Sequence, residues 1–141
     1  MTDVVPLKGR LLVQGTAQAS ALTSKEPLSF WGGYDQLTGE IIDHRHPLSG
    51  ENAAGKILVL PASRGSSTTA AVLLEAVRRN KAPAVIITEG TDRFLTLAAI
   101  VAEEMYGRTV GIISVDAAGF AALVGAREIK VDGDGTVTRV A

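Results

Sequence analysis

The side chains best suited to chemistry lie in one short polar run between an apolar segment and an amphipathic one. The seven residues from Ser63 to Thr69 contain five hydroxyl groups, one arginine and one glycine. A helix that begins within such a run points unpaired backbone N–H groups and the positive end of its dipole toward a ligand. The run therefore predicts an anion-binding turn, in which Arg64 supplies a charge and Ser66 a hydroxyl group.

A simpler interpretation of this turn is a helix cap, because serine and threonine cap helices in many proteins. Ser66 or Ser67 is then the expected N-cap. The density of hydroxyl groups exceeds what one cap needs and favours a binding or catalytic role. The G-x-x-x-x-G-K-[ST] pattern of nucleotide phosphate loops and the G-x-S-x-G turn of hydrolases are both absent. With His44 and His46 as the only possible histidine bases, a hydrolase triad has little support.

Apolar runs and helical periodicity predict the elements that position this turn. Residues 57–60 form an apolar strand before it, and residues 84–88 and 110–115 form two further strands. The apolar positions that recur at helical spacing after the turn are Ala70, Leu73, Leu74 and Val77. The core-facing stripe of the next helix is predicted as Phe94, Leu97, Ala98, Val101 and Met105. Alternating strands and helices imply right-handed βαβ units around a parallel sheet.

Additional β segments flank this core. Residues 7–21 resemble one strand loosened by glycines, residues 28–43 a β-hairpin, and residues 128–140 a second hairpin. The fold class is therefore α/β, with a central parallel βαβαβα core and β segments on either side. In a parallel sheet, binding sites lie beyond the carboxyl ends of the strands. The polar run and the loop 89–92, where Thr91 or Asp92 is the expected cap, are thus predicted to face one site. Asp116 is the predicted cap of a short third helix.

Two smaller features each allow two interpretations. Phe30-Trp31-Gly32-Gly33 is either a turn whose aromatic rings cover the core or part of a binding surface. His44 and His46 have the alternate spacing found at some metal sites, but no third ligand is signalled nearby. A solvated or hydrogen-bonded loop is the expectation for the histidines, and no metal site is assigned to this chain.

Length and composition limit the function further. The chain has 141 residues, which predicts one domain over residues 1–141 with a core of its own. A net charge of -1 without a basic run argues against nucleic-acid binding. No leader sequence or membrane-spanning run is visible, so a soluble cytoplasmic protein is expected. Because the chain has no cysteine, it cannot supply thiolate ligands to zinc or to an iron–sulfur cluster.

Four motifs, taken in order and spacing, resemble the small subunit or swivelling domain of the aconitase X family. They are Phe30-Trp31-Gly32-Gly33, Gly39-Glu40-Ile41-Ile42-Asp43, His46-Pro47-Leu48 and Arg64-Gly65-Ser66-Ser67. The resemblance covers roughly residues 7–116. It implies a swivelling β/β/α domain that docks on a large subunit carrying an iron or iron–sulfur centre. The two subunits together would dehydrate a small hydroxy acid.

The resemblance also implies roles for single residues. In the wider aconitase superfamily a Gly-Ser-Ser turn supplies a serine alkoxide that removes a substrate proton, and Ser66 matches that serine. Arg64, Gly65 and Ser67 are then expected to bind the substrate. The chain departs from aconitase at Thr68, where aconitase has a carboxylate-binding arginine, so that contact must come from Arg64, backbone N–H groups or the partner.

Three functions follow as expectations. The first is the small subunit of a heteromeric cis-3-hydroxy-L-proline dehydratase, inactive without its large subunit. The second is the small subunit of a mevalonate 5-phosphate dehydratase. Few cations lie near the proposed site, chiefly Arg64 and Arg93, which favours the substrate without a phosphate. The third is a stand-alone module that binds a small anion without catalysis. In either enzyme, Trp31 is expected to contact the large subunit, unless it is buried in the core of this domain.

Overall fold

The computed structural model describes residues 6–64 and 67–141. Eleven elements follow one another along these described residues. The strands are β1 (Leu7–Lys8), β2 (Arg10–Val13), β3 (Ala17–Thr23), β4 (Ile57–Leu60), β5 (Val85–Glu89), β6 (Gly111–Val115), β7 (Glu128–Val131) and β8 (Thr136–Arg139). The helices are α1 (Ser67–Arg78), α2 (Arg93–Tyr106) and α3 (Ala117–Leu123).

The centre of the molecule is a parallel sheet of β3, β4, β5 and β6. Ile57 of β4 lies opposite Val85 of β5, which in turn lies opposite Gly111 of β6. Strand β4 is buried at all four positions, as its unbroken apolar sequence predicts for a strand covered on both faces. Strand β2 adds an antiparallel edge next to β6. The predicted βαβαβα core is confirmed.

Strand β3 joins this sheet to an antiparallel layer. Its first half pairs with β7, and its second half pairs with β4. Strands β7, β8 and β1 continue the antiparallel layer, and the predicted C-terminal hairpin is β7 with β8. One face of the central sheet packs on α1 and α2, and the other packs on α3 and the antiparallel layer. The arrangement is the β/β/α layering expected from the resemblance.

The amino-terminal β segment consists of three strands where the sequence predicted one. The chain leaves the antiparallel layer after β1 and crosses to the far edge of the central sheet, where it forms β2. A Cβ atom on Gly15 would lie 2.6 Å from the Cα atom of Gly111. The loop between β2 and β3 therefore passes so close to β6 that only glycine fits there.

The hairpin predicted over residues 28–43 is wrong. That segment consists of turns, with one isolated antiparallel bridge between Tyr34 and Ile41. Tyr34 instead stacks on Phe30, with ring centroids 5.3 Å apart, and both rings are buried. The backbone of Leu28 forms an isolated parallel bridge with that of Ser63. Packing against the helical layer thus replaces strand pairing within the segment.

Helix α2 is present as predicted, but of its predicted core stripe only Ala98 is buried. The buried positions of the helix are Leu95, Ala98, Ala99 and Ala102. Leu97 is 55% exposed and Met105 is 61% exposed. Small alanine side chains allow α2 to pack closely in the helical layer, so the helix turns its alanine-rich face inward. Larger apolar side chains are left on the outside.

Candidate functional site

The predicted anion-binding turn lies between the end of β4 and the start of α1. Arg64 is exposed, and its backbone N–H donates to the carbonyl of Leu28 at 2.9 Å. Ser67 is the first residue of α1. Gly65 and Ser66 lie outside the described residues, so the predicted N-cap and the predicted base remain predictions.

The two loops predicted to face one site are bonded to each other. Both the backbone N–H and the hydroxyl of Ser63 donate to Oδ2 of Asp92, each at 2.7 Å. The other carboxylate oxygen, Oδ1, accepts from the N–H of Leu95 at 3.0 Å and caps α2. The predicted alternative of Asp92 as the cap is confirmed. One buried carboxylate therefore fixes Ser63, which follows β4, against the start of α2.

Sequence reasoning identified Asp92 as a cap but missed its bond to Ser63. A cap requires one carboxylate oxygen, which leaves the second free for another donor. Hydroxyl-bearing Ser63 follows the neighbouring parallel strand β4, and Asp92 follows β5. An acid at the end of one strand and a serine at the end of the next are the signal that could have revealed the contact.

A third segment borders the same turn. The N–H of Leu28 donates to the carbonyl of Ala62 at 3.3 Å, so the backbone at Leu28 lies beside the end of β4. Phe30 is buried in the core, whereas Trp31 is 68% exposed. The two aromatic residues therefore differ in role: Phe30 packs in the core, and Trp31 presents its indole on the surface. The alternative in which Trp31 is buried in this domain is wrong.

The electrostatics of the turn favour an anion. The first turn of α1 contains no acidic residue that would neutralise the positive end of the helix dipole. Arg64, which follows Ser63, and Arg93, the first residue of α2 after Asp92, are both exposed cations. The carboxylate of Asp92 is occupied by three donors and faces the interior. A negatively charged ligand at this end of the sheet would thus meet cations and N–H groups.

Thr69, in the first turn of α1, is an exception to normal hydrogen bonding. Its side chain is almost completely buried, yet its Oγ1 atom has no hydrogen-bond partner among the described residues. Buried hydroxyl groups are normally satisfied, because an unsatisfied one costs roughly 1–3 kcal/mol.

The two histidines differ in environment, because His46 is buried and hydrogen-bonded and His44 lies at the surface. Nδ1 of His46 accepts from the N–H of Leu48 at 3.1 Å, and Nε2 lies 3.2 Å from the carbonyl of Glu26. Because Nδ1 is an acceptor, Nε2 carries the proton and donates to Glu26. His46 is buried and both of its ring nitrogens are engaged, whereas His44 is exposed. The two rings therefore do not act as a ligand pair, and a hydrogen-bonded loop describes them.

Two further features, a metal site and a membrane-spanning helix, are absent from the described residues. Across residues 6–64 and 67–141, no three acidic or histidine side chains converge as metal ligands would. The described residues therefore do not fit a resident iron centre, and no chemical step of this chain is assigned to one. Among the described helices, none has the length and apolar character needed to span a bilayer.

The structure is a three-layered α/β domain in which Arg64 and the start of α1 lie at the carboxyl ends of the parallel strands. The model of the aconitase X swivel domain matches residues 6–139 of this chain. The chain belongs to the aconitase X swivel-domain family.

Proteins named for dehydratase activity are among its relatives. It is 41% identical over 133 residues to a cis-3-hydroxy-L-proline dehydratase of Hypocrea jecorina, a match that covers 94% of this chain and 22% of that protein. It is 34% identical over 128 residues to the phosphomevalonate dehydratase small subunit of Thermococcus kodakarensis, covering 91% of this chain and 90% of that one. The chain thus spans about a fifth of the first relative and nearly all of the second.

The fold has a counterpart among solved structures. The holo-form of Thermococcus kodakaraensis aconitase X contains a chain that superimposes with a TM-score of 0.82 at 29% sequence identity. The superposition covers 97% of this chain and 98% of the other. The layering described above is therefore that of an aconitase X protein.

Proposed function

We propose that this chain is the small subunit of a heteromeric hydro-lyase of the aconitase X type, acting on cis-3-hydroxy-L-proline. The proposal treats residues 1–141 as one swivelling domain that works only with a large subunit. The observation that carries it is the 41% identity, over 94% of the chain, to a protein named for that dehydration. The name small subunit on the Thermococcus kodakarensis relative supports the requirement for a partner.

Ser66 is the proposed base, and its environment supplies the activation that a serine needs. A serine hydroxyl is a weak acid and needs stabilisation of its alkoxide. Ser66 immediately precedes α1, whose first turn carries no acidic side chain. Backbone N–H groups and the positive end of the helix dipole are the donors available to an alkoxide there. The alkoxide would take a proton from the substrate carbon and become neutral again.

Substrate binding is assigned to the residues around the base. Arg64 is exposed and held by its backbone to Leu28, so its guanidinium is available to a carboxylate. Gly65 and Ser67 would contribute backbone N–H groups. Thr68 replaces the arginine of aconitase, which leaves Arg64 and the partner to bind the carboxylate.

Loss of the hydroxyl group needs help that this chain does not offer. An iron or iron–sulfur centre in the large subunit would act as a Lewis acid on the departing oxygen. This chain has no cysteine, and its described residues provide no metal site. The role left to this chain is to hold the substrate and to move one proton.

Sequence identity favours hydroxyproline over mevalonate 5-phosphate as the substrate. Over matches of nearly equal length, the hydroxyproline dehydratase is 41% identical and the phosphomevalonate subunit 34%. The described cations beside the turn, Arg64 and Arg93, are few for a ligand that carries both a carboxylate and a phosphate. A soluble cytoplasmic enzyme without nucleic-acid or membrane partners completes the proposal.

The rival function is a binding module that holds a small anion without catalysis. The variant Ser66→Ala separates the two. A base at this position predicts a loss of turnover on the order of a hundredfold or more, with little change in KM. A simple binder predicts a loss of about one hydrogen bond, roughly 1 kcal/mol, in affinity alone. Ser67→Ala is the matched control, because it removes a neighbouring hydroxyl without removing the base.

The assay uses this chain mixed with the large subunit, and presents cis-3-hydroxy-L-proline and mevalonate 5-phosphate separately. We expect turnover of the first substrate by the pair and none by this chain alone. Turnover of only the phosphorylated substrate would transfer the assignment to phosphomevalonate. Full turnover by the isolated chain would contradict the need for a partner.

A further inference from the structure

The outward face of α2 is an apolar stripe with no cover among the described residues. Phe94 is 38% exposed and Ile100 is 48% exposed, and the exposed fractions of Leu97 and Met105 are larger still. The stripe consists of Phe94, Leu97, Ile100, Val101 and Met105. Single exposed apolar residues are common, whereas several on one helix face mark an interaction surface.

The stripe begins at the candidate site. Phe94 follows Asp92 by two residues, and Asp92 binds Ser63 at the start of the catalytic turn. Helix α2 has 14 residues, which corresponds to a length of about 21 Å. Met105 therefore lies about 16 Å along the helix axis from Phe94. A protein that closes over the site could continue along the stripe without a break.

We propose that the α2 stripe is the surface on which the large subunit of the enzyme docks. This proposal rests on the proposed function, because it takes its partner from there. More than three quarters of the Hypocrea jecorina relative lies outside the part that matches this chain. In that protein, therefore, a much larger polypeptide accompanies this domain. The exposed carboxylates of Glu103 and Glu104 near Met105 indicate that the partner surface is apolar with basic residues at that end.

A second copy of this chain is the other candidate occupant. A stripe that serves only self-association has no reason to begin beside the catalytic turn. A partner that shares the substrate must reach that turn, and α2 offers it a continuous apolar path from there. The large subunit is therefore the favoured occupant.

The experiment compares binding of the large subunit by three forms of this chain, with calorimetry as the readout. The test variant is Leu97→Glu/Met105→Glu, which places two charges on the stripe. The matched control is Leu37→Glu, because Leu37 is 54% exposed, almost the same as Leu97, and lies on the turn 36–38 and not on α2. Circular dichroism and thermal unfolding verify that each variant is folded.

We expect the double variant to bind the large subunit on the order of a hundredfold more weakly, and Leu37→Glu to bind like the wild type. Equal binding by all three forms, or no binding by the wild type, would overturn the docking surface. If the wild-type chain dimerises alone and the double variant is monomeric with undiminished binding, the stripe belongs to a second copy and the proposal is wrong.

Turnover is measured on the same mixtures, so that the two proposals can fail separately. A wild-type pair that binds through the stripe but does not dehydrate either substrate would refute the proposed function and leave the docking surface in place. A double variant that recovers full turnover once the large subunit is in excess would show that the stripe contributes affinity and not chemistry, as we expect.

Discussion

The carboxylate of Asp92 accepts two hydrogen bonds from Ser63, a residue 29 positions earlier in the chain. Its second oxygen caps α2 at the same time. Buried carboxylates are tolerated when donors surround them, and each hydrogen bond to a charged group is worth roughly 1.5–3 kcal/mol. Ser63 stands three residues before Ser66. The contact therefore sets where the segment that leads to the proposed base starts relative to the neighbouring loop.

The first prediction concerns this contact. Asp92→Ala should reduce the free energy of unfolding by about 2–3 kcal/mol, because it removes a helix cap and leaves the Ser63 donors unmatched. The backbone amide of Ser63 should also lose protection against hydrogen exchange. Urea unfolding and amide exchange measure the two effects.

Asp116→Ala is the control for capping alone. Asp116 caps α3 by accepting from the N–H of Gly119 at 2.7 Å, and α3 packs on the opposite face of the central sheet from α1. Its loss should cost about 1 kcal/mol and leave the Ser63 amide protected. Equal costs for the two variants, with Ser63 protected in both, would show that Asp92 acts only as a cap.

The sequence was sufficient where local patterns determine structure. The strand from Ile57 to Leu60, the cap at Asp92 and the parallel core all follow from apolar runs and capping residues. The rotation of α2 did not follow, because periodicity finds an apolar face without saying which apolar face the neighbours cover. Met105 and Leu97 fit a core stripe by spacing, yet tight packing selected the alanines.

The site was predictable to the same extent. The pairing of the segment after β4 with the loop 89–92 follows from the carboxyl ends of parallel strands, whereas the anion-binding role of that segment stays a prediction. The bond from Ser63 to Asp92 depends on distances across the sheet, which no sequence pattern supplies. Trp31 was ambiguous for a similar reason: its neighbour Phe30 stacks on Tyr34, and only one of two adjacent rings can point inward.

The second prediction concerns two glycines with the same backbone angle. Gly39 and Gly50 both have φ of 88°. A Cβ atom on Gly39 would lie 2.7 Å from the Cβ atom of Ala54, whereas one on Gly50 would meet nothing within 4 Å. Gly50→Ala should cost about 1 kcal/mol for the left-handed conformation, and Gly39→Ala about 2–4 kcal/mol because crowding is added.

Urea unfolding of both variants checks this difference. The carbonyl of Lys81 would also be 2.9 Å from the new Cβ atom at Gly39, so the crowded backbone cannot move aside without disturbing the end of α1. A Gly39→Ala variant as stable as Gly50→Ala would show that the turn relaxes freely, contrary to the geometry.

The third prediction is a loss of stability in alkaline solution. Burial raises the pKa of the Tyr34 phenol far above its ordinary value, and the phenol donates to the carbonyl of Lys81 at 2.6 Å. In the unfolded chain the Tyr34 phenol loses its proton at about pH 10, whereas in the folded chain it stays protonated there. The stability it contributes is complete below about pH 10 and falls by about 1 kcal/mol per pH unit above it.

Tyr34→Phe tests the origin of that loss. The variant should be about 1 kcal/mol less stable at neutral pH, because the carbonyl loses its donor, but its stability should depend less on pH above about pH 10. Tyr106→Phe is the control and should retain the alkaline loss of the wild type. Urea unfolding over a pH series gives both results, and an identical alkaline slope in Tyr34→Phe would assign the loss to another group.

The last prediction uses Trp31, the single tryptophan of the chain, as a reporter for the partner. Its indole is 68% exposed and stands three residues after Leu28, whose carbonyl binds the backbone of Arg64. The isolated chain should therefore emit at a wavelength typical of hydrated tryptophan and be quenched readily by acrylamide. Aromatic side chains are enriched at the centres of interfaces. Under the proposed function the large subunit contacts Trp31, so its addition should shift the emission to the blue and reduce quenching. A Trp31→Phe variant of this chain gives the signal contributed by the partner's own tryptophans, which is subtracted. An unchanged emission in a mixture that turns over substrate would place Trp31 outside the interface.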